Sequence, residues 1–266
     1  MNEATNVLRQ KSQSFYWAGK LLPARILQDV ATLYAFCRMM DDAIDEENKP
    51  ENVCAAKTNL RGVYPHIAEL MAHYDIPDAV MQAFLDTLLR DIPPVNTKNL
   101  TELLHFAYGA AGTVGIMMSH VLGRTKPEII YHAIDLGIAM QLVNIARDVK
   151  EDRQQLRFYL PEGFTPEALI DYAEPYFQSG IEAIAFLPFS VRPSIMTAAL
   201  VYRAIGQKIL ANPKRAMQHR VYVPAWQKAL LTLRAYVHVM TTKKSPMQHD
   251  ATLHQHLTGL PCVHSS

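Results

Sequence analysis

The segment ATLYAFCRMMDDAIDEE, Ala31 to Glu47, decides how the chain reads. Its first half is apolar at helical spacing. Arg38, Asp41, Asp42 and Asp45 then follow within the same helical run, in a protein of which only 19% is charged. An unpaired buried charge is costly, so three carboxylates beside one arginine ask for a cation or a polyanion to settle them. Tyr34, Arg38, Asp41 and Asp45 recur at steps of four, three and four, which lines them up on one face of a helix.

This stripe has a twin in MQLVNIARDVKEDRQQLRFYLP, Met140 to Pro161, where Gln141, Asn144, Asp148 and Asp152 follow one another at steps of three and four. Carboxylates four apart on a helix repel by a few tenths of a kcal/mol, so each pair needs solvent, a basic neighbour or a metal to offset it. Two solvated helix faces would be the plain explanation. Against it stand the apolar bodies of both segments and their arginines, Arg38 one turn ahead of the first pair and Arg147 beside the second. Facing each other across a cavity, the stripes would form an oxygen-lined site suited to Mg²⁺, or to Mn²⁺ in its place, with a diphosphate completing the shell. No GxxxxGK phosphate cradle is present, which disfavours an ordinary nucleotide kinase.

A third stretch, FAYGAAGTVGIMMSHVLG, Phe106 to Gly123, spaces Ala107, Ala111 and Gly115 four apart. Small residues so placed serve either tight helix packing or the wall of a long apolar pocket. Phe15, Phe36, Met117, Met118 and Leu142 are the candidates for the rest of such a lining.

The remaining chain supports an all-α protein. Helical periodicity and stop signals predict helices near 24–46, 52–73, 77–90, 99–122, 126–153, 166–185, 191–211 and 225–242. No shift in composition divides residues 1–242, read here as one helical domain. Residues 243–266 lose the pattern and are expected to form a mobile tail. Its histidines, His249, His254, His256 and His264, are a compositional cluster without supporting ligands and are not read as a metal site. The balance of 26 basic against 25 acidic residues leaves no electrostatic footprint for nucleic acid. Three cysteines without zinc-like spacing fit a reducing cytoplasm. The N-terminus lacks the apolar core of a signal peptide, and no run reaches the roughly 18 apolar residues of a membrane span. A soluble protein, or one resting on a membrane without crossing it, is expected.

With these residues laid out, the chain resembles the squalene and phytoene synthase family, whose members join two allylic isoprenoid diphosphates head to head. The resemblance rests on SQSFYWAGKLLP, LYAFCRMMDDAID, AGTVG, QLVNIARDVKEDRQQLRFYLP, VYRAIGQKI and RVYVPAWQKALL, in this order from Ser12 to about Leu231. It implies a single-domain, all-α isoprenoid synthase fold around a central cavity, acting as a Mg²⁺-dependent prenyltransferase of isoprenoid and carotenoid biosynthesis. Asp41 and Asp45 would bind metal from one side, Asp148 and Asp152 from the other, with Asp42 in support. Arg38, Tyr34, Gln141, Asn144, Arg147, Tyr202 and Arg220 match substrate-binding positions near the diphosphates. Ser12, Ser14 and Phe15 match a segment closing over a diphosphate, and Tyr159 the tyrosine of a flap.

The implied reaction proceeds through a cyclopropyl diphosphate and a second ionisation. Two C20 geranylgeranyl diphosphates giving phytoene is the expected outcome. The alternative is two C15 farnesyl diphosphates giving squalene, dehydrosqualene, presqualene diphosphate or hydroxysqualene. No dinucleotide fingerprint is visible, so NADPH is not expected, although the family's reductive members use no such motif and its use stays open. A catalytically silent assembly factor is the reading of another class, opposed by the intact aspartates. Two positions depart from the family pattern: Phe106, where many relatives have tyrosine, and Lys20, where arginine is usual. A long hydrocarbon product implies a cytoplasmic protein held loosely on the inner face of the cytoplasmic membrane; the oligomeric state is left open.

Overall fold

The computed structural model describes residues 3–216, 218–242 and 248–264. Its helices fall largely where apolar periodicity puts them. In chain order they are α1 (Glu3–Lys11), α2 (Gln13–Gly19), α3 (Ala24–Asp45), α4 (Pro50–Val63), α5 (Pro65–His73), α6 (Asp78–Arg90), α7 (Leu100–Ala107), α8 (Thr113–Val121) and α9 (Pro127–Gln154). The order continues with α10 (Pro166–Ala183), α11 (Arg192–Ala211), α12 (Pro213–Ala216) and α13 (Ala225–Thr241).

Two of the expected helices are divided. The run expected over 52–73 breaks at Tyr64 (φ −129°, ψ 63°), because the ring of Pro65 excludes the residue before it from the helical region. The run over 99–122 is interrupted by a π turn, Tyr108–Gly112, between α7 and α8. Here the helix meets α9 backbone to backbone. A Cβ on Gly115 would lie 2.3 Å from the Ala133 carbonyl oxygen, and one on Gly137 2.3 Å from that of Ala111. The small residues of the third stretch therefore serve close packing, and the same face also looks into a cavity through Ala111, Val114 and Gly115.

Sequence periodicity did not place α1 and α2. They are short, and Ser12 separates them as the N-cap of α2, its Oγ accepting from the Phe15 N–H at 3.3 Å. Lys11 fastens α1 to the end of α3 through Asp42 (2.8 Å) and Glu46 (3.0 Å).

The long helix α9 is the spine of the fold, packed against α8, α10 and α11. Among the described residues it alone has the length and hydropathy to cross a membrane, yet 67% of that stretch is buried inside the protein. It is a core helix. A pair of two-residue parallel strands, β1 (Val95–Asn96) and β2 (Arg157–Phe158), joins the loop after α6 to the end of α9.

Residues 248–264, part of the segment expected to be a mobile tail, pack onto the bundle; 243–247, 265 and 266 lie outside the described residues. A 3₁₀ turn, Ala251–His254, and the buried Leu257 seat the segment. Tyr108 donates its hydroxyl to the Pro261 carbonyl (2.5 Å) and Tyr176 to that of Leu253 (2.9 Å). These partners sit on the π turn and α10, so the segment's own pattern could not announce them.

Candidate active site

A cavity of about 800 Å³ runs along α9, toward the top of the roughly 300–1,000 Å³ range of small-molecule sites. The residues that α9 gives it change character along the helix, from Ile129, Ala133 and Leu136 to Gln141, Asn144, Asp148 and Asp152. From Ile129 to Asp152 that is roughly 35 Å at 1.5 Å per residue. One end is greasy and the other acidic.

Across the acidic end stands α3, contributing Tyr34, Arg38, Asp41 and Asp45. Fifteen of the residues singled out from the sequence line this one cavity, including Ser12, Ser14 and Phe15 of the N-terminal segment and Tyr159, Tyr202 and Arg220. The two stripes therefore face a common space. Asp42 points elsewhere, to Arg38 (2.5 Å) and Lys11 (2.8 Å), as an anchor of the helix end.

Each stripe has its cations. Arg38 reaches Asp41 (2.9 Å), while Arg147 holds Asp148 through Nε at 2.7 Å, and Arg220 comes to 3.3 Å of the same carboxylate. Phe15 stacks on Tyr202 (centroids 5.2 Å apart) and meets Tyr34 edge-on (6.1 Å), so an aromatic trio closes one side.

Sequence reasoning missed two residues of the acidic end. Asp91, the C-cap of α6, is 6% exposed and accepts from the Tyr159 hydroxyl at 2.7 Å. Arg157, 3% exposed, bridges Asp45 (2.6 Å) and Asp91 (3.4 Å). Arg157 stood in plain view within QLRFYLP, but its partner loop comes beside it only through the β1–β2 pairing. The lining guesses divide: Phe15 and Met118 border the cavity, whereas Phe36, Met117 and Leu142 are buried in the core. Phe106 stacks on Tyr159 (4.4 Å) at the wall. Tyr108 does not replace the hydroxyl missing there, because its own is bound to Pro261. Lys20 lies over the Tyr16 and Trp17 rings, away from the acids.

The electrostatics of the acidic end are unbalanced. Burial, with Asp45 adding to it, pushes Asp41 up to about 7; burial and then Asp148 do the same to Asp152. Asp91 also rises to about 7 through burial, in spite of Tyr159 and Arg157. Asp152 makes no ion pair among the described residues. The Asn144 Oδ1, one turn from Asp148, is buried without a partner among them. Carboxylates and an amide oxygen, all hard donors with charge left over, fit Mg²⁺ or Mn²⁺.

These shifts have a sign. An aspartate raised above its unfolded value near 3.9 keeps in the folded state a proton that the unfolded chain releases, so its contribution is intact below about pH 4 and lost as pH rises through about 7. In EDTA, the part of stability carried by Asp41, Asp91 and Asp152 should therefore fall from pH 5 to 8. Asp152→Asn should raise Tm at pH 8 and flatten this fall, while Mg²⁺ should stabilise the wild type more at pH 8 than at pH 5. Thermal melts at both pH values check this; an Asp152→Asn variant less stable than wild type at pH 8 without metal would contradict it.

Comparison with known proteins bears on the sequence and the fold. The squalene/phytoene synthase family model matches residues 8–168, more than half of the chain. A 15-cis-phytoene synthase of Paracoccus sp. (strain N81106 / MBIC 01143) is 33% identical over 82% of this chain and 84% of that protein. A phytoene synthase of Thermus thermophilus is 32% identical over 87% and 90%. Among solved structures, a dehydrosqualene synthase in complex with ligand superposes with a TM-score of 0.79 at 25% identity, over 90% of this chain and 96% of that one. A squalene synthase from Alicyclobacillus acidocaldarius shares the fold at a TM-score of 0.66 and 18% identity, over 78% and 92%. Sequence match and fold agree, and the chain belongs to the squalene/phytoene synthase family of prenyltransferases.

Proposed function

We propose that the protein joins two prenyl diphosphates head to head, and that two geranylgeranyl diphosphates giving phytoene are its reactants and product. Two diphosphates and two protons leave for each C40 hydrocarbon formed, one proton with each ionisation. The observation that carries this reading is the change of the cavity from acidic to greasy along α9. The phytoene synthases among its relatives favour the C20 substrate.

Asp41 and Asp45 from α3, with Asp148, Asp152 and the Asn144 oxygen from α9, would hold Mg²⁺, which when bound neutralises charge on a departing diphosphate. Arg38 and the exposed Arg220 stand where they can orient the diphosphate oxygens. Phe15, Tyr34 and Tyr202 close the charged end, and the Phe106–Tyr159 stack continues an aromatic wall. Such walls exclude water from an allylic cation and offer it their π faces. The Tyr159 proton is committed to Asp91, which keeps that ring fixed against the cavity.

A second reading, two farnesyl diphosphates giving a C30 product, is favoured by the dehydrosqualene synthase likeness. We also infer contact with a lipid surface. Tyr222, which lines the cavity and is 74% exposed, begins an apolar face that continues through Trp226 (70%), Leu233 (61%), Val237 and Met240 (70%) on α13. Substrate and product chains could pass from lipid to cavity along it.

Incubation with each diphosphate separately, with and without NADPH, followed by mass spectrometry of the extracted lipid, tests the reaction. Phytoene from the C20 substrate is expected; a C30 product alone would select the second reading, and no diphosphate release from either would refute both. Asp41→Ala and Asp148→Ala should each lower turnover by roughly 10²–10³ or more with the fold retained. Leu233→Glu with Val237→Glu should abolish flotation with anionic liposomes while leaving turnover in detergent unchanged. Equal flotation of that variant, or no flotation of the wild type, would reject the lipid contact.

A further inference from the structure

The C-terminal segment brings His249, His254 and His264 together over α9, with ring centroids 4.5, 4.8 and 5.5 Å apart. Beneath them lies Asp135, fully buried on α9. Its carboxylate is 2.7 Å from His249 Nε2 and 3.1 Å from His254 Nε2, and it also accepts from the Ser179 hydroxyl of α10. One carboxylate thus receives an N–H from two imidazoles. That fixes the proton of each ring on Nε2 and leaves each Nδ1 an acceptor.

The two lone pairs differ: that of His249 accepts the His264 Nε2 proton, whereas that of His254 is unengaged among the described residues. His249 Nδ1 faces His264 Nε2 at 2.8 Å, and His254 Nδ1 is buried with no partner among the described residues. The side chains of His249 and His254 are 2% and 1% exposed. A ligating atom from each of the three histidines falls within 4.8 Å of the others. Tyr131 lies against the His264 ring at 3.9 Å and holds it in place.

We propose that His249 Nδ1, His254 Nδ1 and His264 Nε2 bind one Zn²⁺ ion, with Asp135 as the carboxylate that orients two of the ligands. Three neutral nitrogen donors suit Zn²⁺ and not Mg²⁺, which takes oxygen, and a tetrahedral ion leaves its fourth position to water. On binding, the proton shared between His249 and His264 moves to His264 Nδ1, so the rings stay neutral. The ion staples residues 248–264 to α9 and α10. It sits about 20 Å along α9 from Asp148, counting 13 residues at 1.5 Å each, and so is separate from the aspartate stripes. Ser179 also bonds His132 (2.7 Å), a residue of the cavity wall, so the staple abuts the greasy end of the cavity.

The test uses the full-length protein, stripped with EDTA and dialysed against Zn²⁺ in the presence of millimolar Mg²⁺, which occupies the aspartate stripes. One Zn²⁺ per chain is expected by elemental analysis, and Co²⁺ in its place should give the visible d–d bands of a tetrahedral site. Asp135→Asn should weaken binding about 10–100-fold, and His254→Ala at least as much. His264→Ala removes a ligand that makes no bond to Asp135, and so tests the site if the buried variants fail to fold. Zn²⁺ displaced by Mg²⁺, binding well below one per chain, or affinity unchanged in His264→Ala would overturn the proposal and leave a hydrogen-bonded histidine cluster only.

Discussion

The structure depends on burying like charges against one another. Asp41 and Asp45 on α3 and Asp148 and Asp152 on α9 line one end of a cavity, with Asp91 behind them. Five carboxylates in a partly dry space cannot all ionise without cations. The protein supplies some: Arg157 links Asp45 to Asp91, Arg147 and Arg220 hold Asp148, and Arg38 takes Asp41. Asp41, Asp91 and Asp152 are still pushed up to about 7, so the site is held short of neutrality. Such a deficit costs stability, and a divalent cation bound there would relieve it.

The long helix α9 converts that local tension into a site with direction. Its C-terminal half presents amides and acids to the cavity, while its N-terminal half presents Ile129, Ala133 and Leu136. Gly115 against α9 and Gly137 against the π turn bring the backbones close together, and Ala111, Gly115 and Gly137 also line the cavity. A diphosphate bound at the acidic end would lay its hydrocarbon tail along the rest, so chain-length preference falls to residues far from the chemistry.

Much of this was legible in the sequence because the aspartate stripes obey helical spacing, and each can be read within its own segment. Much of what escaped the reading depends on partners distant in sequence. Asp91 and Arg157 become partners only through the pairing of two-residue strands from distant loops. The break at Pro65 was available from the rule for residues before proline, and a longer periodic run obscured it. The histidines after residue 248 looked like composition alone because the carboxylate that orders them, Asp135, lies more than a hundred residues earlier on α9. Phe36, Met117 and Leu142 show the converse: apolar residues on the right helices whose faces turn into the core.

The central claim, that both aspartate stripes grip the same group of divalent cations, is tested most directly by anomalous diffraction from crystals soaked in Mn²⁺ and an unreactive prenyl thiodiphosphate. The account predicts Mn²⁺ peaks between Asp41/Asp45 and Asp148/Asp152, within ligand distance of carboxylates from both helices. Peaks confined to one stripe, or none in the cavity while the analogue is bound, would contradict it.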